Sequence, residues 1–193
     1  MRDDDWKVSG RAVAQAALTA IGGTPSVIRI HDENETNWVD VAQFKDSPNP
    51  GYVTHSTLTL HRSPNLLDGA NIPVEFLGVA SHNVEKFANL LGTAAFYVMK
   101  NRWLAAPGVV FPDLVAHYEL SKHLKHLMWT PPFVWPTLGA AVINPGLSVH
   151  WLHACPISDR ERDLLMEVGF DQFNTEMEER DVPYYDLDRP SFV

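Results

Sequence analysis

Cysteine is almost missing from this chain. Cys155 is the single one, so no internal disulfide can form and a reducing compartment suits it. Long apolar runs are missing too, since no stretch reaches the roughly 18 apolar residues that a spanning helix needs. The opening Met1-Arg2-Asp3-Asp4-Asp5 carries acids where a secretory signal carries positive charge. The expectation is a soluble, cytoplasmic protein that enters no membrane. Basic residues are scarce: 15 Lys and Arg stand against 24 Asp and Glu, a net charge of −9. Binding phosphate backbones needs a basic patch, so nucleic acid is not an expected partner, whereas a basic protein surface is.

Patterns that carry chemistry are equally absent. There is no G-x-S-x-G elbow, P-loop or G-x-G-x-x-G fingerprint, and Gly22-Gly23 fits a helix stop. His150 and His153, on a strand, point to opposite faces and cannot easily share an ion. His123 and His126 would share a face only on a helix, and no H-E-x-x-H or C-x-x-C pattern accompanies them. Cys155 ends an apolar stretch before a proline without an identifiable basic neighbour, which fits a buried structural thiol better than a nucleophile. No catalytic residue, cofactor or metal ligand is therefore assigned. The alternative, a small histidine-dependent or metal-dependent hydrolase, requires at least three of His31, His55, His61, His117, His123, His126, His150 and His153 to converge in space.

What is present is a core. The 193 residues are 45% hydrophobic, enough for one domain spanning 1–193 without staples. Residues 9–21 carry an Ala-rich helical stripe, while 27–31 and 38–44 read as a hairpin joined by a polar turn, and 46–51 as a loop. Residues 52–61 alternate with neither face purely apolar, which suggests an edge or exposed strand. A short apolar strand, 74–80, precedes a helix capped by Ser81 or Asn83, whose stripe is Val84, Phe87, Leu91, Ala95 and Val98; this is expected to be the longest helix. Residues 124–130 read as extended, and 115–120 as extended or helical. Pro131, Pro132 and Pro136 frame Phe133, Val134 and Trp135 in a stiff loop whose large groups are either core or contact surface. The fold class is α+β: one mixed, mainly antiparallel sheet packed against helices.

The last forty-odd residues are the most legible. Residues 147–155 alternate, with Leu147, Val149, Trp151, His153 and Cys155 on one face, as a strand with one strongly buried side that Pro156 is expected to end. Ser158 and Glu161 have the spacing of a capping box, Gly169 can end the helix that follows, and Phe170, Phe173 and Met177 mark a second short one. The acids then crowd together: Asp171, Glu176, Glu178, Glu179, Asp181, Asp186 and Asp188 against Arg180 alone. Such a run is either a solvated face or a docking surface. Arg189 is expected to pair with a neighbouring acid, Asp186 or Asp188.

Val149-His150-Trp151-Leu152, Cys155-Pro156-Ile157-Ser158 with Glu161, Gly169-Phe170-Asp171 and Asp188-Arg189-Pro190-Ser191 resemble, in that order, the C-terminal signature of the suppressor-of-fused (SUFU) domain, particularly its single-domain bacterial members. The match covers about a quarter of the chain closely, with a looser similarity over 74–99. The resemblance implies an α+β fold with the tail folded back on the body, and a non-enzymatic protein-binding role. For bacterial members it implies an immunity protein or antitoxin that neutralises a polymorphic toxin, often a nuclease. The partner expected here is a basic toxin domain. The residues expected to meet it are Glu176, Glu178, Glu179, Asp181, Asp186 and Asp188, together with Phe133 and Trp135 of the apolar loop.

Overall fold

The computed structural model describes residues 3–82 and 84–193, of which 3–7 by backbone alone. Helix α1 (Asp3–Ile21) is followed by β1 (Ser26–His31) and β2 (Trp38–Lys45), paired antiparallel as the polar turn between them predicts, and then by β3 (Val53–Thr57). A 3-10 turn (Leu60–Arg62) and the small hairpin β4 (Leu66–Leu67) and β5 (Ala70–Asn71) lead to β6 (Val74–Ala80) and α2 (Val84–Asn101). Next come β7 (Val110–Phe111), α3 (Leu114–His117), β8 (His126–Thr130), a second 3-10 turn (Pro136–Leu138), β9 (Ala141–Asn144) and β10 (Leu147–Ile157). Helices α4 (Asp159–Val168) and α5 (Phe170–Glu179) end the ordered elements. The main sheet runs β1-β2-β3-β6-β10-β8-β7, with β9 also on β10. All its pairs are antiparallel except β6 with β10. The fold class is the α+β one expected.

Strand β10 is the spine. Both its faces are buried, not one. Leu152 and Ala154 pack with α2, Val149 and Trp151 with α1, and Cys155 and Ile157 with α4 and α5. A strand with helices on both sides is buried on both sides, and the same holds for its parallel neighbour β6, every residue of which is buried, Glu75 included. Packing there is close enough to exclude a side chain: a Cβ on Gly78 would lie 2.3 Å from the Phe87 ring.

Three expectations are corrected. Pro156 does not end β10, which continues to Ile157 opposite β8. The Ile157 carbonyl faces β8, where it accepts from Lys125, so the nitrogen and carbonyl of Pro156 face the other way, past the last pairing with β6 (His153 with Leu77), where no ladder donor is needed. Residues 52–61 are no edge strand: β3 stops at Thr57, lies between β2 and β6, and buries Thr54, His55, Ser56 and Thr57. Its polarity serves buried partners, with Ser56 accepting from Trp151 Nε1 (2.9 Å) and Thr57 donating to Glu75 (2.5 Å). Among the described residues the longest helix is α1, at 19 residues against 18 for α2. Of the two caps expected for α2, Asn83 lies outside the described residues, and the Ser81 hydroxyl lies 3.1 Å from His82 Nδ1. Among the described residues no helix is long and apolar enough to cross a membrane.

Candidate functional site

The segment after α5 is held by one buried ion pair. Glu161 occupies the third position of α4 and completes the capping box: it accepts from the Ser158 amide (2.8 Å), and its own amide donates to Ser158 Oγ (3.1 Å). The same carboxylate, fully buried, accepts from Arg189 Nη1 (2.5 Å), Arg189 Nη2 (3.1 Å) and the Phe192 amide (3.0 Å). Arg189 also donates to the Pro156 carbonyl (2.7 Å), so the edge that proline leaves without a ladder donor is used by the tail. Arg189 therefore does not pair with Asp186 or Asp188. Gly169, at φ 80° and ψ 168°, takes a backbone conformation closed to other residues and turns α5 back alongside α4.

This clamp sets the tail beside the proline loop and opens a groove of about 290 Å³ between them. Met177 and Val182 form its apolar base, and Phe133 and Tyr184 stand as walls, their rings nearly perpendicular with centroids 6.4 Å apart. Glu178, Asp181 and Asn174 line the rim. Asn174 donates to Glu178 Oε1 (2.7 Å) and so orients that carboxylate. Arg180, adjacent to Asp181 in sequence, is engaged elsewhere: it bonds Glu176 (3.3 Å) and the Phe192 carbonyl (3.0 Å). Glu178 and Asp181 thus have no ion pair among the described residues. Behind Tyr184, at 5.2 Å between ring centroids, lies His153, fully buried, with no hydrogen-bond partner at either ring nitrogen among the described residues. Burial pushes its pKa down to about 3, so it is neutral.

The residues expected to meet a partner are sorted by this geometry. Phe133, Glu178 and Asp181 come together at the groove. Glu179 is exposed but off it, Glu176 is paired with Arg180, and Asp186 accepts from the Asp188 amide (2.9 Å), while Asp188 lies 3.8 Å from His82. Trp135 is corrected: only 6% exposed, it packs in the core with Val13, Ala17 and Trp151 rather than on the surface. Sequence reasoning missed Tyr184, Val182 and Asn174. Tyr184 sits inside the acid run, between Asp181 and Asp186, with no periodic neighbours to mark it.

The histidines do not converge. His55, His61, His126 and His153 are buried, His150 is half-buried, and His31, His117 and His123 are exposed. Among the described residues no three His, Cys, Asp or Glu side chains are grouped as around a metal ion. His61 donates from Nδ1 to Glu75 (2.6 Å), and its Nε2 lies 3.4 Å from Ser9 Oγ, the order of a charge-relay triad. All three residues are buried, and Glu75 is saturated by Thr57 and by the amides of Leu60 and His61, so the cluster binds α1 and the 3-10 turn to the sheet. Cys155 is fully buried, and burial pushes its thiol up to about 12, despite Arg189 nearby.

A family model, suppressor of fused protein (SUFU), matches residues 35–190. The chain belongs to the SUFU family. It is 29% identical over 185 residues to the immunity protein YqcF of Bacillus subtilis (strain 168), a match covering 95% of this chain and 96% of that one. Its fold is similar to that of a SUFU homolog from Neisseria gonorrhoeae FA 1090, with a TM-score of 0.70 and 16% identity over 98% of each chain. It is also similar to a chain of the Sufu–Fu complex, with a TM-score of 0.64 and 12% identity over 96% of this chain and 91% of that one. The C-terminal motif that suggested SUFU has a physical reading in this fold. Cys155-Pro156-Ile157-Ser158, Glu161 and Arg189-Pro190-Ser191 are the strand end, the helix cap and the clamp, closed further by Ser158 Oγ and Ser191 Oγ at 2.8 Å.

Proposed function

We propose that this SUFU-family protein is an immunity protein that neutralises a toxin by binding it directly, without turnover, and that the groove between the proline loop and α5 lies at the centre of the contact. The observation that carries the reading is the end-to-end likeness to a relative named for immunity. The groove supports it as a surface: a small apolar cleft with two aromatic walls and two uncompensated carboxylates is what a protein interface anchors on, with a polar rim around a desolvated centre. The chain's −9 charge favours a basic toxin domain, and nuclease toxins come first because acids can stand where phosphates would.

The test is to co-express the chain with the toxin encoded by the neighbouring gene. Growth should be restored, and the two proteins should elute together as a stoichiometric complex. Rescue by substoichiometric amounts would replace binding with catalysis. Absence of both rescue and complex would remove the immunity reading.

A further inference from the structure

We infer that the groove is a receptor for a single arginine side chain projecting from the partner. This inference rests on the proposed binding role and names the chemistry that the same site selects. The groove combines two features that pull toward different ligands. Its base and walls, Met177, Val182, Phe133 and Tyr184, reward apolar contact, while Glu178 and Asp181 at the rim lose water as anything settles there. A leucine or phenylalanine would satisfy the walls and leave desolvated carboxylates. A short charged group would satisfy the acids and leave the walls in water. A long cation satisfies both, with its methylenes along Met177 and Phe133 and its head between the carboxylates.

Arginine fits better than lysine. Its planar guanidinium can lie against an aromatic face and fork its donors onto carboxylate oxygens, which a compact, strongly hydrated ammonium does less well. Asn174 holds one oxygen of Glu178, which pre-sets the carboxylate for such a fork. Among the described residues no cation is paired with Glu178 or Asp181, and the adjacent Arg180 is turned to Glu176 and Phe192. The imidazole behind Tyr184 is neutral and adds no repulsion. Size agrees as well: about 290 Å³ is at or below the lower end of ligand pockets, roughly 300–1,000 Å³, room for one side chain but not for a helix.

The experiment titrates the purified protein, observed by NMR, with N-acetyl-arginine methylamide, and with the lysine, citrulline and norleucine counterparts. Saturable shifts at Phe133, Asn174, Met177, Glu178 and Tyr184 are expected in the millimolar range. Arginine should bind more tightly than lysine, whereas citrulline, of the same shape but neutral, and norleucine should not saturate. Glu178→Gln and Asp181→Asn should each weaken binding about tenfold without changing Tm, as exposed neutralisations do. Equal response to arginine and citrulline, shifts centred elsewhere, or no saturable shifts would overturn the proposal. The two readings fail separately. A toxin complex indifferent to Phe133→Ala and Glu178→Gln removes the arginine receptor and leaves immunity, whereas arginine binding without any toxin complex does the reverse.

Discussion

Trp151 fills the space between α1 and the sheet and donates its indole N–H to Ser56, so one side chain carries both the packing and the polar closure of the centre. Trp151→Ala should cost about 3–5 kcal/mol, read as a lower urea midpoint. Trp151→Phe, which keeps a ring and leaves the Ser56 hydroxyl its bond to the Thr57 carbonyl (3.0 Å) while removing the indole donor, should cost less, about 1–3 kcal/mol. His153 and His55 make a prediction about pH. Burial lowers His153 to about 3 and His55 to about 4, from an ordinary value of 6.5, so each is neutral in the fold and takes up a proton on unfolding below 6.5. The unfolded state then binds more protons, and stability falls as pH falls, by at most about 1.4 kcal/mol per pH unit for each group. That stability is fully present above 6.5 and is lost between 6.5 and about 4 for His55, and on to about 3 for His153. Urea unfolding as a function of pH should show this slope, and His153→Phe should reduce it by one group's share. An unchanged slope in the variant would mean that His153 is accessible to protons in the folded state.

At the scale of elements the decisive joint is the one between α4 and the tail. Arg189→Ala leaves the Glu161 carboxylate buried without its cation and should cost about 3–5 kcal/mol. Arg189→Ala with Glu161→Gln should be less damaging than Arg189→Ala alone, because glutamine can still cap the helix while no charge is stranded. Chemical denaturation of the two variants gives the comparison, and equal losses would mean that the pair's charge is irrelevant. This joint also shows what was legible in the sequence. The cap at Ser158 and Glu161 and the helix periods after it are local patterns, and the structure has them where the spacing puts them; the strand at 147–155 is there too, but it runs on to Ile157 and buries both faces. The partner of Arg189 was not legible, because it lies 28 residues away across a turn and a second helix, while nearer acids offered themselves. Residues 52–61 misled for a related reason: Ser, Thr and His alternate there as on a wet edge, but the groups that satisfy them, Glu75 and Trp151, arrive from distant strands. Phe133, Glu178 and Asp181 were singled out as residues; that they share one groove follows only from the clamp.

For the whole molecule, charge governs encounter. With a net −9, association with a basic partner should slow steeply as salt rises from about 0.1 M to about 1 M, because the screening length drops from about 10 Å to about 3 Å. Glu179→Gln and Glu178→Gln should slow association similarly, since each removes one exposed charge from the C-terminal end of α5. Only Glu178→Gln should also speed dissociation, because Glu178 alone of the two lines the groove. Stopped-flow association and dissociation rates separate these effects, and identical dissociation rates would assign both residues to the solvated rim. The order of the sheet has its own consequence during synthesis. Strand β6 can complete a four-stranded half with β1, β2 and β3 as soon as it leaves the ribosome, yet its other neighbour is β10, made later in the chain. At about 5–20 residues per second, the roughly seventy residues between them take several seconds to appear. Through that interval the nascent chain carries an unpaired apolar strand at the rim of a half-built sheet, which makes the pace of translation between β6 and β10 a determinant of how much protein escapes aggregation.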